Sequence, residues 1–384
     1  MFVPFAGRDN IVPRYLSRDL TPGVYMRPTS AIVRLNAIVE NYKTVCRLTP
    51  GLNNVAVIKA NAYGHGMVEV ARALQDEVPA FAVAFFEEAV QLRDAGITKP
   101  ILILQGTLGH ENVDEAAARD FWLMLNNGQQ IDQVLSAKST RPVGVWLKVE
   151  TGMHRLGMDP KEAESACEAL SSSANIQPNL VLCTQLACAD DLANPVTKEQ
   201  VNRLSSFAAN HKLPLSIANS AAIMAWPESH ARWNRPGYML YGNSPFASPE
   251  SPAEGLLPAM TLASEIVAIR DVRPGEGVGY GHDWVAQRQS RIGIIAIGYG
   301  DGYPRHAPGG TPVLVNGARV PLAGRVSMDM ISVDLTDHHR TKIGDSVELW
   351  GERLSVNEVA SSAGTIGYEL LAGLTGRLPR AYQK

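Results

Sequence analysis

Residues 55–66 read VAVIKANAYGHG. Four apolar residues, Val55 to Ile58, run straight into a lysine, and two glycines close the segment. A run this short and this apolar, ended by glycine, reads as a strand buried on both faces. Lys59 then stands at its end. A lysine in apolar surroundings is costly unless it is paired or neutral. Burial should lower its pKa, as a carbonyl-attacking amine requires. The plainer alternative is a lysine that snorkels from a strand end to water.

Similar runs recur downstream: FAVAFF at 81–86, ILILQG at 101–106, FWLML at 121–125 and VGVWLKV at 143–149. NLVLCTQLA at 179–187, PLSIAN at 214–219 and RPGYMLYG at 235–242 complete eight candidate strands. Helical spacing fills the gaps, most clearly at 66–77, 87–95, 160–173 and 197–210. Strands alternating with helices predict an α/β fold, an N-terminal (β/α)8 TIM-like barrel. A doubly wound open sheet is the alternative, but no G-x-G-x-x-G turn supports its dinucleotide form. After about residue 260 the pattern changes to short alternating strands between Gly and Pro turns. EIVAIRDV, RIGIIAIGYG, TPVLVNGARVPLAG, MISVDL and DSVELWG predict a C-terminal, mainly β domain, with a helix near 355–363. The expected organisation is an arm over 1–28, the barrel over 29–261 and the β domain over 262–384.

The 384 residues are 45% hydrophobic, enough for a large core. With 35 basic and 38 acidic residues, the net charge is −3 and no basic patch stands out, so nucleic-acid binding is not expected. Cys46, Cys167, Cys183 and Cys188 fit neither a zinc site nor a disulfide framework; they read as small buried hydrophobes. No metal is expected. No run is apolar enough to span a membrane and no secretory pattern heads the chain, so a cytoplasmic protein is expected.

Barrel enzymes place their chemistry at the C-terminal ends of the strands. There the sequence supplies Lys59, then ETGMHRLGM at 150–158 with Arg155, ANSAA at 218–222 with Ser220, and NRPGY at 234–238. Ser220, Gly237 and Tyr238 could cradle a phosphate after the seventh and eighth strands, although NSAA is equally a helix N-cap. Arg155 could clamp a carboxylate or simply pair with Glu150 or Asp159. Arg235, before a proline, could be an ordinary paired arginine. Together an amine, a phosphate cradle and cations suit an aldehyde cofactor bearing phosphate and a carboxylate substrate.

At this point the sequence resembles the alanine racemase family. VIKANAYGHG is similar to its motif for the lysine that holds pyridoxal 5'-phosphate (PLP). ETGMHRLGM, NRPGYMLYG, VGYG, GYGDGYPR, GRVSMDM and GYELL follow in family order. The resemblance spans about residues 29–380 and implies a PLP-dependent racemase interconverting L- and D-alanine. It implies that Lys59 carries the cofactor and serves as one catalytic base, with Tyr280 as the second. Tyr63, Ser220, Gly237, Tyr238 and Tyr368 would hold the phosphate, and Arg235 would face the pyridine nitrogen. Arg155 and the backbone of Met328 would take the substrate carboxylate, with Asp329 behind them. Lys148 matches a lysine that some members carbamylate to steady the arginine. The family's Tyr280 equivalent comes from the other subunit, so the resemblance also implies a homodimer.

Tyr280, Met328, Tyr63 and Tyr368 would otherwise read as turn or packing residues. One position departs from the pattern. TQLACAD at 184–190 places Gln185 where the family carries a histidine between the second base and the pyridine-facing arginine. Glutamine donates and accepts hydrogen bonds but does not titrate near neutrality. An altered rate or pH profile is therefore expected. The alternatives are racemisation of serine, lysine or a broad range of amino acids, or a weakly active PLP-binding protein.

Overall fold

A computed structural model of the chain describes residues 27–108, 113–246 and 255–384. Of the arm expected over 1–28, only residues 27 and 28 lie within the described residues. The chain divides into two compact units. One holds residues 33–260, 366–373 and 380–384; the other holds the described residues up to 32, with 261–365 and 374–379.

The first unit is a closed parallel barrel. Its first strand is formed in two pieces, Asn53–Asn54 and Ala56–Val57. The strands that follow are Phe81–Val83, Ile101–Ile103, Phe121–Leu125, Gly144–Lys148, Val181–Cys183, Leu215–Ser216 and Trp233–Asn234. Every neighbouring pair is parallel. The two pieces of the first strand close the ring. Val55 and Val57 donate their N–H groups to Asn234 and Pro236 of the last strand, while Ala56 and Ile58 donate to Ala80 and Ala82 of the second.

Six strands fall inside the stretches expected from sequence, and the first begins two residues ahead of its stretch. The eighth does not: it is Trp233–Asn234, and Tyr238–Tyr241 forms a 3-10 turn. Pro236 has no N–H for a ladder. The apolar YMLY that follows is fully buried as a turn, and burial alone does not distinguish a strand from other buried backbone. The helices Met67–Leu74, Phe86–Asp94, Pro160–Ser171 and Val196–Ala209 lie where their spacing predicts them. The helix Leu35–Leu48 was not anticipated, although Ala37, Ile38, Asn41, Tyr42 and Val45 form its buried stripe. Cys46 lies off that stripe and is exposed, contrary to expectation, whereas Cys167 and Cys183 are buried.

Strand parity sorts the barrel interior into layers. Val55, Val57, Leu102, Met124, Trp146, Val181 and Cys183 form its core, with Trp122 and Trp233 packed against them. Trp122, Trp146 and Trp233 meet with ring centroids 5.6–6.4 Å apart. Counting on by two residues from Val57, Trp146, Cys183 and Trp233 reaches Lys59, Lys148, Gln185 and Arg235. The apolar interior is thus succeeded, at the C-terminal ends, by a polar layer.

The second unit is mainly antiparallel. The 13-residue strand Met260–Val272 pairs with Ser290–Ile295 and with Ser346–Trp350. Ser290–Ile295 continues to Ile331–Asp334, and Ser346–Trp350 to Pro312–Val315. Pro312–Val315 and Ala318–Pro321 form a hairpin through Asn316-Gly317, both at positive φ as a two-residue hairpin turn requires. The expected helix runs Val356–Ser362, its first turn capped by Ser355. Among the described residues no helix is long and apolar enough to cross a membrane.

Candidate active site

Lys59 is displayed by an unusual turn. Ala60, Asn61, Ala62 and Tyr63 all have φ between 50° and 54°, a consecutive left-handed run. Each such residue costs about 1–2 kcal/mol relative to the right-handed form, so the surroundings must impose the turn. Ala62 N–H reaches Ile58 O at 2.8 Å, Gly64 N–H reaches Ala60 O at 3.0 Å, and Met67 N–H reaches the Asn61 side chain at 2.8 Å. Gly64 continues the run at φ 79°, where an added Cβ would overlap the carbonyl of Leu371. His65 is fully buried, stacked on Tyr241 at 4.5 Å, and Nδ1 bonds the carbonyls of Ala62 and Tyr63. Burial depresses its pKa to about 4, so it is a neutral prop rather than a charge.

Burial lowers the pKa of Lys59. Arg155 and Arg235 lower it further, and Glu88 opposes them. The acidic groups here are committed elsewhere. The Glu150 carboxylate accepts the N–H groups of Gly152, Met153 and His154, bonds that outweigh the upward push of its partial burial. Asp159 caps the helix Pro160–Ser171 through Lys161 N–H. Neither pairs with Arg155, which is exposed and makes no ion pair among the described residues. The mouth therefore carries Lys59, Lys148, Arg155 and Arg235 with little anionic compensation.

Arg235 is buried and held by neutral acceptors. Nη1 donates to Ser216 O at 3.0 Å and Ser216 Oγ at 2.6 Å. Nη2 donates to Thr184 O at 2.6 Å, Gln185 Oε1 at 3.2 Å and Ile217 O at 3.3 Å. Burial lowers its pKa, but an arginine starts so high that it keeps its proton. Gln185 is tied in turn through its carbonyl to Gln200 Nε2 at 3.0 Å. Gln200 also donates to Thr151 Oγ1 at 3.1 Å, linking the Arg235 cluster to the loop of Arg155. Gln200 lies on a helix away from any recognisable motif, and sequence reasoning did not single it out.

Lys148 faces Cys183 across the ladder and is buried. Burial first, then Arg235 and Arg155, bring its pKa down to about 8. Above that value the folded amine is neutral while the unfolded one, at 10.5, still holds its proton. The unfolded state then binds more protons, so this residue makes stability rise as pH climbs from about 8 toward 10.5. Lys148→Met should flatten that slope in denaturation curves taken across the window. An unchanged slope would show that Lys148 does not titrate there.

Beyond the seventh and eighth strands lies a cluster of hydroxyls. Ser220 Oγ accepts Gly237 N–H at 2.9 Å and Met239 N–H at 3.3 Å, while Asn219 caps the short helix Ser220–Ala225. The Gly237 N–H expected for an anion is therefore directed at Ser220. A Cβ on Gly237 would come within 2.9 Å of Tyr63 Oη, so a side chain there would fill the cradle. Tyr238 and Tyr368 stack at 3.6 Å, with Tyr63 at 6.5 and 6.1 Å from them. Burial pushes the Tyr63 phenol up to about 12, keeping it a proton donor. Hydroxyl donors and a glycine-opened cradle near a low-pKa amine fit a phosphate-bearing aldehyde such as PLP.

Tyr280, Met328 and Asp329 belong to the second unit. Tyr280 is 71% exposed, in the turn Tyr280–His282 between Gly279 and Gly281. Met328 is exposed, and its carbonyl accepts Gly300 N–H at 2.9 Å and Arg377 Nη2 at 3.3 Å. Arg377 Nη1 pairs with Asp329 at 2.7 Å, and Nε with the buried Asp301 at 2.9 Å. Burial pushes the Asp301 carboxyl upward, but Arg27, Arg377 and Gly298 N–H outweigh it and hold it ionised. Asp329 thus steadies the Met328 loop through Arg377.

A parallel barrel with a half-buried lysine of lowered pKa at its mouth, followed by an antiparallel β unit, is the arrangement of a class of PLP-dependent barrel proteins. The alanine racemase N-terminal domain matches residues 33–245, and the family's C-terminal domain matches 259–382. The chain belongs to the alanine racemase family. It is 46% identical over 357 residues to alanine racemase from Chromohalobacter salexigens, covering 93% of this chain and 98% of that one. Biosynthetic alanine racemase from Pseudomonas aeruginosa has a solved structure with a TM-score of 0.88 and 45% identity, covering 94% of this chain and all of that one. The Bacillus anthracis alanine racemase solved with bound L-Ala-P has a TM-score of 0.81 and 31% identity, covering 94% of this chain and 96% of that one.

Proposed function

We propose that the chain is a PLP-dependent alanine racemase acting through two bases, Lys59 and Tyr280. The carrying observation is the polar layer at the barrel mouth, where a pKa-lowered lysine stands among cations whose carboxylate neighbours are otherwise engaged. Tyr63, Ser220, Gly237, Tyr238 and Tyr368 are the groups assigned to the cofactor phosphate, and Arg235 to its pyridine nitrogen. When bound, PLP disperses the negative charge left as a proton leaves the substrate Cα.

The chain's own residues do the rest. One base does not reach both faces of Cα, so Lys59 Nζ exchanges a proton on one face and Tyr280 Oη on the other. Tyr280 is taken from a second copy. Its exposure, with that of Tyr299, Met328 and Met330 on the same unit, supports a homodimer interface. A cytoplasmic location is proposed with it. Arg155, unpaired among the described residues, holds the substrate carboxylate with the backbone of Met328, whose loop Asp329 steadies through Arg377. Arg155→Ala should raise KM for alanine roughly 10- to 100-fold, the weight of a hydrogen bond to a charged group. An unchanged KM would remove Arg155 from the site.

Lys148 is proposed as a carbamylation site. With its amine brought down to about 8, roughly a tenth is uncharged at neutral pH and open to carbon dioxide. Position 185 is where the chain departs from the family pattern. Gln185→His places an imidazole beside Arg235, whose charge should bring its pKa below the ordinary ~6.5, and should bend the acid limb of the kcat profile. Superimposable profiles would show that the position is uncoupled. The overall reading is tested with L- and D-alanine in solvent deuterium. Absence of α-proton exchange despite bound PLP would defeat it, and a panel including serine and lysine detects a different substrate.

A further inference from the structure

The strained turn after Lys59 is gripped by a carboxylate from the next strand's helix. Glu88 Oε1 accepts Ala60 N–H at 2.7 Å. Its other oxygen accepts the N–H groups of Ala84 at 2.7 Å and Phe85 at 3.2 Å, where the second strand hands over to the helix Phe86–Asp94. Ala60 is the residue after Lys59 and the first of the left-handed run. Within the turn, Ala62 N–H closes back on Ile58 O and Gly64 N–H on Ala60 O, but neither bond uses the Ala60 N–H. That N–H is held from outside the turn, by Glu88.

We propose that Glu88 is a positioning residue for Lys59: its carboxylate bridges the ends of the first two barrel strands, pins the turn at Ala60 and thereby fixes the direction of the lysine amine toward the cofactor. This rests on Lys59 being the PLP lysine. A carboxylate has the two oxygens needed to serve both strand ends at once, and its charge strengthens each bond. The charge has a second consequence. The charged groups facing Lys59 are Glu88, Arg155 and Arg235. Without Glu88 the amine faces only cations, and its proton affinity falls.

The test uses the full chain as Glu88→Ala and Glu88→Gln, with Glu87→Ala on the exposed side of the same turn as control. The readouts are PLP affinity by equilibrium dialysis, the pH dependence of Lys59 methylation in the PLP-free protein by peptide mass spectrometry, and kcat and KM for alanine. Glu88→Ala should weaken PLP binding about tenfold or more, the effect of losing a hydrogen bond to a charged group. Its Lys59 reactivity midpoint should move to lower pH, and kcat should fall more than KM rises because Arg155 is untouched. Glu88→Gln has one acceptor oxygen for two strand ends. It should lose less PLP affinity while showing the same direction of shift at Lys59. A merely structural Glu88 predicts a lower melting temperature with PLP affinity and Lys59 midpoint at wild-type values. That result in folded Glu88→Gln overturns the proposal. If wild-type protein binds PLP no differently from Lys59→Ala, the cofactor reading itself falls instead.

Discussion

Lys59→Ala is expected to give a folded protein that holds no PLP covalently and racemises alanine at least about a thousandfold more slowly, the weight of one positioned acid–base group. The fold should survive because Lys59 is only half-buried, and an alanine there leaves no buried charge unpaired. The melting temperature should stay level or rise, since burial and two nearby arginines already work against the charged amine. The experiment compares absorbance of the PLP-reconstituted variant before and after borohydride reduction with its α-proton exchange. Undiminished exchange would move the first base elsewhere.

The second large effect is expected at Arg235. Arg235→Ala leaves Ser216 Oγ, Thr184 O, Ile217 O and Gln185 Oε1 without the donor they now share, while Ser216 O keeps Thr184 N–H. Acceptors buried without a donor carry their full desolvation cost, about 1–3 kcal/mol each. The urea midpoint should fall accordingly, and PLP affinity should fall with it if the same guanidinium faces the pyridine nitrogen as proposed. Arg235→Lys keeps the charge but not the planar fan of donors, so it should land between the two. A stability loss without any loss of PLP affinity would leave Arg235 a strut of the barrel and nothing more.

Much of this was legible before any coordinates. The strand at 55–58 and its lysine follow from four apolar residues and a glycine turn, because burial leaves a strong mark on composition. The eighth strand was misplaced because YMLY is as apolar as a strand and differs only in backbone angles, which sequence registers weakly. Lys148 and Gln185 were named through a resemblance, yet parity alone reaches both, two residues on from Trp146 and Cys183. Glu88 and Gln200 left no comparable trace. Each acts by accepting or donating to backbone and side chains brought together from distant segments, and a polar residue on a helix face reads as solvated until the fold supplies its partners.

The trio Trp122, Trp146 and Trp233 gives the barrel an optical consequence. Three indoles packed within 6.4 Å of one another form a cluster inside the barrel, beneath the lysine that would carry a visible-absorbing cofactor. Light absorbed by that floor passes by resonance to whatever chromophore occupies the mouth. Cofactor loading of the purified protein should therefore be readable, without a label, as quenching of this tryptophan emission.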